Sequence, residues 1–208
     1  MPSPLFPMRR PCPSPRRSQA GFNLLELLVV VIILGIVFAV GFPSFQFVTN
    51  SGRVTNPANE LLATLQLARM ESIRRGQRTV VCRSQNPLVA APTCTTTAGN
   101  WGGWLAFVDT NSNGTFDGTD IRLRAHNVNP PTVVVASAAV SGASSRVIFR
   151  PDGLARTAAG GLLGARIRVC VATTMPSDNA RDVVITAGSR TAVLRVNAAG
   201  ACAAPADA

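Results

Sequence analysis

The sequence predicts an α+β fold: a long N-terminal helix, half transmembrane and half amphipathic, packed on an antiparallel β-sheet domain. Three observations carry that prediction. Residues 27–42 hold no side chain more polar than glycine's, inside an apolar stretch that runs from Leu24 to Val48. Apolar residues then recur at three- and four-residue steps over residues 51–75. Beyond Gly76 the pattern changes to short β-branched or alternating runs, separated by Gly, Pro, Asn and Ser clusters. One helix followed by many short antiparallel strands is an α+β arrangement.

The apolar stretch has the length to span a bilayer, which takes roughly 20 residues. One ionisable group interrupts it, Glu26, near its N-terminal end. A lone carboxylate in a membrane helix costs about 2.5–3.5 kcal/mol and is normally kept for a task. A partner for it exists if the chain is cut between Gly21 and Phe22. The new amine would lie one helical turn from Glu26, and a helix N-terminus itself favours a carboxylate. Arg9, Arg10, Arg16 and Arg17 precede the cut and hold that segment on the cytoplasmic side. An ordinary secretory signal ends at small residues after its apolar stretch. Here the small residue, Gly21, comes first, so cleavage leaves the anchor on the mature chain.

Glycine followed by phenylalanine, a glutamate four residues on, and then a hydrophobic run resembles the class III signal of type IV pilins and type II secretion pseudopilins. In that family a prepilin peptidase cuts after the glycine and N-methylates the new first residue. The resemblance assigns processing to Gly21 and Phe22. It assigns assembly to Glu26, which would pair with the terminal amine of a neighbouring subunit, and to Pro43, which would kink the helix. It implies other pilin or pseudopilin subunits, the prepilin peptidase and the inner membrane as partners. The chain would be a single-pass protein with its C-terminal domain in the periplasm, joining a filament on assembly. The organisation expected is a leader over 1–21 (with Met8 as an alternative start), an assembly helix over 22–48 and its amphipathic continuation over 49–76. A β-rich domain over 77–202 and a frayed tail over 203–208 complete it.

In the second half of the helix Val54, Ala58, Leu61, Leu65 and Ala68 form the apolar stripe, with Leu62 and Ile73 beside them. Asn56 followed by Pro57 has the form of an N-cap and first helical residue, so a break or bend is expected there. Gly76, after Arg74 and Arg75, has the form of a helix C-cap. Strands are expected at 78–83, 104–108, 121–125, 132–136, 146–150, 166–171, 181–186 and 191–196, with 155–164 as a loop.

Of the 208 residues, 187 follow Gly21, enough for an anchor and one domain with a real core. All twenty basic residues are arginine. Four precede the cut, leaving 16 against ten carboxylates, a formal balance near +6. Cys12 would leave with the leader, while Cys82, Cys94, Cys170 and Cys202 remain. An even number in an exported part favours two disulfides. Of three pairings, Cys82–Cys94 and Cys170–Cys202 are the local ones, the second stapling the C-terminal tail to an inner strand. Zinc is the alternative, but no CxxC spacing exists and the single histidine, His126, is remote in sequence.

Four further groups have a chemical reading. Asp109, Asn111, Asn113, Gly114, Asp117 and Asp120 fit the ligand spacing of a calcium loop. The last position is Asp where Glu is usual, the flanks read as strands, and the same residues make a hairpin turn. No metal is therefore assigned. Trp101 and Trp104 flank Gly102 and Gly103, as a stacking platform or as cover for a sheet. Asp152 and His126 could be drawn beside a serine as a triad, but no nucleophile motif supports it. No catalytic residue and no cofactor are assigned.

The segment GNWGGWLAFVDTNSNGTFDGTDIRLR, together with ELLATLQLARMESIRRGQRTVVC, FRPDG at 149–153 and RDVVITAGSR, resembles the GspH/FimT group of minor pilins and pseudopilins. The resemblance runs from Gly21 to about Cys202. It implies a structural subunit and does not encode which machine the subunit serves. FimT-type members are associated with DNA capture in natural transformation through an arginine-bearing tail. Arg166, Arg168, Arg181, Arg190 and Arg195 are the candidates here, provided Arg166 and Arg168 share one face with Arg190 or Arg195. Gly188, Ser189 and Arg190 only approximate that group's glycine–arginine turn.

Overall fold

The computed structural model describes Gly21, residues 23–157 and residues 159–208. The leader arginines, Cys12 and Phe22 lie outside the described residues, as does the side chain of Pro43. The chain forms two units, one up to Phe42 and one from Pro43 onward. Among the described residues the first unit is helical from Leu24.

Helix α1 is assigned over Leu24–Arg75. All five residues of the expected stripe, Val54, Ala58, Leu61, Leu65 and Ala68, are buried. The helix ends at Gly76, whose φ of 62° is the left-handed C-cap conformation, behind Arg74 and Arg75. The break expected at Asn56–Pro57 does not occur. Proline removes the N–H that would bond the carbonyl of Arg53. The Thr132 hydroxyl donates to that oxygen at 3.3 Å instead, and buried Val54 and Ala58 hold the turn on the core.

Eight strands follow, within two residues of their expected bounds: β1 (Arg78–Ser84), β2 (Gly103–Asp109), β3 (Ile121–Asn127), β4 (Thr132–Ala136), β5 (Arg146–Phe149), β6 (Ala165–Val171), β7 (Ala180–Ile185) and β8 (Thr191–Val196). A short helix α2 (Ala138–Ser141) links β4 to β5. The strands form two antiparallel sheets. Sheet I has the order β3-β2-β1-β5 and sheet II the order β4-β6-β7-β8.

The inner faces of both sheets share one core with the α1 stripe. Val81, Trp104, Ala106, Val147 and Phe149 come from sheet I, and Val134, Ile167, Val169, Val183 and Ile185 from sheet II. Each fully buried Leu, Ile or Phe contributes about 1.5–3 kcal/mol relative to an exposed position. Across β6 the alternation of half-buried Arg166 and Arg168 with buried Ile167 and Val169 is the period-two pattern of a strand with one face in the core.

Each sheet's outer face is covered by a segment tied down with a disulfide. On sheet I, Val80, Cys82, Leu105 and Phe107 form a second small cluster under Phe116 and Cys94, and Cys82 is bonded to Cys94. On sheet II, Cys170 of the inner strand β6 is bonded to Cys202. The tail beyond it is not frayed. The Ala203 carbonyl accepts from Arg168 at 3.2 Å, Pro205 is buried, and Asp207 Oδ1 accepts the Ala139 amide at 2.9 Å. Six short residues rich in alanine gave no sign of this, because the partners that order them lie on other elements.

Candidate functional site

The N-terminal helix begins at an asparagine that caps it. Asn23 Oδ1 accepts the Leu25 amide at 3.4 Å, and its carbonyl accepts the Leu27 amide at 3.2 Å. Glu26 sits in the first turn, where the unpaired backbone N–H groups of a helix favour an anion. From Leu27 to Gly52 no side chain is ionisable. The helix is long and apolar enough to cross a membrane, and none of the apolar window is buried. Leu24, Ile36 and Phe38 are 81%, 62% and 69% exposed. Such a surface is stable only against lipid or other apolar helices.

The five C-terminal arginines do not form one strip. Register pairs Arg166 with Val184 and Arg168 with Asp182, placing these two arginines on the outer face of sheet II. Arg181 pairs with Arg195 and shares a side with the core residues Val183 and Val193. Arg181 is buried, and its guanidinium donates to the carbonyls of Asp178 and Ala180. Burial, and then the charge of Arg195, lower its pKa. Arg168 is held by a bidentate pair with buried Asp182 at 2.7 and 2.9 Å, whose hydrogen bonds raise its pKa. Arg190 and Arg195 are exposed.

The loop of aspartates and asparagines is bonded largely within itself. Asp117 accepts from the hydroxyl and backbone amide of Thr119, and from the side-chain amides of Asn111 and Asn113 at 2.8 Å each, and these bonds hold its pKa down. Asp120 accepts the backbone amides of Thr110 and Asp117, and Asp109 accepts that of Gly114. This is the hydrogen-bonded turn between β2 and β3; its carboxylates accept from the loop's own N–H groups, and Asp109 also pairs with Arg78 at 3.0 Å.

Trp101 and Trp104 belong to the core and offer no open platform. Trp104 Nε1 donates to Thr64 Oγ1 at 3.1 Å, and its ring stacks on His126 at 4.5 Å. Between the tryptophans a Cβ on Gly103 would stand 2.2 Å from the His126 carbonyl, so only glycine lets β3 approach there. Asp152 is paired with Arg156 at 2.9 Å, and His126 is occupied by Trp104. Among the described residues no hydrogen bond or ion pair joins Asp152 to His126.

Residues 57–200 match the family described as Type II transport protein GspH. The chain belongs to that family. Residues 16–42 of this GspH-family protein match the prokaryotic N-terminal methylation motif, which spans Gly21, Phe22 and Glu26. It is also similar to two fimbrial proteins of Pseudomonas aeruginosa, 38% identical over 64 residues. That similarity takes in 31% of this chain and only 41% of the length of those curated relatives. Among solved structures it is similar to the type IV minor pilin FimU of Pseudomonas aeruginosa in two crystal forms. Both are 19% identical, with TM-scores of 0.43 and 0.44, covering 68% and 70% of this chain and 92% and 91% of FimU. The fold on which this family match falls is α+β, the second half of α1 packed on two antiparallel sheets.

Proposed function

We propose that this chain is a minor pilin or pseudopilin that assembles through its N-terminal helix into a type IV pilus or type II secretion pseudopilus. The observation that carries the reading is an exposed apolar helix whose sole charge before Arg53 is Glu26, in the first turn. A prepilin peptidase cuts after Gly21 and methylates the amine of Phe22. Glu26 then neutralises the amine of a neighbouring subunit, which fixes the stagger between helices. The precursor crosses the inner membrane once, with residues 77–202 in the periplasm, where an oxidising environment suits the two disulfides. The β domain decorates the filament.

Glu26→Ala tests the pairing in cells that carry the assembly machinery. The variant is expected to be cleaved normally but to fall at least several-fold in sheared filament fractions. Undiminished incorporation would remove Glu26 from the mechanism. Gly21→Trp is expected to leave a precursor heavier by the mass of residues 1–21. Capture of DNA through Arg166, Arg168, Arg181, Arg190 and Arg195 has less support. The register divides these residues between two faces, and Asp182 neutralises Arg168.

A further inference from the structure

Four arginines converge on a cavity at the β5 edge of sheet I. Strand alternation puts Arg146 and Ile148 on the outer face of β5, and Arg150 follows in the same phase. Arg78 begins the neighbouring strand, and Arg156 comes from the bridged segment after β5. The cavity has a volume of about 330 Å³ and is lined by these four arginines together with Ser144 and Thr157. A second hollow of about 400 Å³ shares Arg78 and Arg150 with it.

The guanidiniums are held in place by their surroundings. Arg78 donates to the Ser112 carbonyl at 3.1 Å and Arg146 to the Gly114 carbonyl at 2.6 Å, so the β2–β3 turn braces both. Arg156 donates to the Gly160 carbonyl at 3.1 Å. Asp109 pairs with Arg78 at 3.0 Å and Asp152 with Arg156 at 2.9 Å. Two carboxylates against four guanidiniums leave an excess of two positive charges. Neither carboxylate lines the first cavity; Asp109 lines only the second. The Nε atoms of Arg78 and Arg156 are buried without a hydrogen-bond partner. The Arg150 guanidinium makes no hydrogen bond or ion pair among the described residues. Guanidiniums gathered around one hollow repel one another, and an oxyanion is the group that satisfies their free donors.

We propose that this cavity is a binding site for a phosphate-bearing dianion, held by the forks of Arg78, Arg146, Arg150 and Arg156. Planar guanidiniums match phosphate oxygens in pairs, and two excess positive charges match two negative ones. None of the C-terminal arginines lines either hollow, and the site does not depend on the assembly reading.

Calorimetric titration of the full chain in detergent micelles with inorganic pyrophosphate, at low ionic strength, tests it. Binding of one equivalent is expected, weakened about tenfold or more by Arg150→Gln and left unchanged by Arg190→Gln. Arg150 is exposed, so its loss leaves the fold intact, which circular dichroism verifies. A thymidine oligonucleotide forms the second arm. Oligonucleotide binding that pyrophosphate displaces assigns the site to a phosphodiester chain; pyrophosphate binding alone assigns it to a small phosphate. Either result supports the site. No pyrophosphate binding by folded protein, or equal affinity in Arg150→Gln, overturns it.

Discussion

Leucine, valine and isoleucine behave in opposite ways in the two halves of α1. Leu24, Ile36 and Phe38 are well over half exposed, whereas Leu61 and Leu65, on the same helix, are fully buried. The second half finds its cover within the chain, in two sheets that close over it. The first half has no such cover among the described residues, so its apolar surface calls for lipid or another apolar surface outside the chain. Apolar content alone therefore does not distinguish a core from an interface; what distinguishes them is whether the same chain supplies the opposing surface.

The sharpest contrast is a pair of truncations. Trp104→Ala empties a fully buried site and removes the bond to Thr64. It is expected to cost about 3–5 kcal/mol in thermal or denaturant unfolding of the domain. Leu34→Ala, on the exposed half, is expected to leave that transition unchanged. A shift from Leu34→Ala comparable to that from Trp104→Ala would erase the distinction between the halves.

The disulfides come next. Cys82–Cys94 spans 12 residues and Cys170–Cys202 spans 32. In the chain-entropy account their removal costs about 3 and about 4 kcal/mol respectively. Paired serine substitutions, compared by chemical denaturation, are expected to show the second loss as the larger. The second should also release the tail, read as faster amide exchange at Ala139, whose N–H Asp207 accepts.

Arg168→Ala leaves Asp182 buried without its partner. It is expected to destabilise the domain by about 2–3 kcal/mol, below the full buried-pair value because Arg168 keeps some contact with solvent. Replacing both residues by leucine is expected to cost less than the single change. If Arg168→Ala proves neutral, this arginine is free to bind ligands and the outer face of sheet II regains its positive charge.

The smallest effect is on pH. Burial against Trp104 lowers the pKa of His126, with Glu60 opposing and Arg124 adding to the shift. A histidine kept neutral in the fold contributes stability above its unfolded pKa, about 6.5, and loses it as pH falls through that value. The melting temperature is expected to fall between about pH 7.5 and 5.5, and His126→Phe to flatten that slope. Asp152, lowered chiefly by its bond to Arg156, acts further down in the carboxylate range.

Most of this architecture was legible in the sequence because it rests on local periodicity. The Val54–Ala68 stripe, the C-cap at Gly76 and the eight strands are each written in neighbouring residues. What was not legible depends on distant partners. Pro57 looks like a helix start until Thr132 supplies the missing donor from another strand. The tail looks unstructured until Arg168 and Ala139 bind it. The division of strands into two sheets, and with it the separation of Arg166 and Arg168 from Arg195, follows from long-range pairing that no local pattern encodes. The cluster of Arg78, Arg146, Arg150 and Arg156 left one trace, the Arg-Val-Ile-Phe-Arg alternation of β5, which puts both arginines on one side.

Intact mass measurement of the polypeptide isolated from its native membrane tests the central assignment most directly. It is expected to give a chain beginning at Phe22 with one added methyl group on its amine. A chain that begins anywhere else would separate Glu26 from the nitrogen it is meant to meet and contradict assembly by this route.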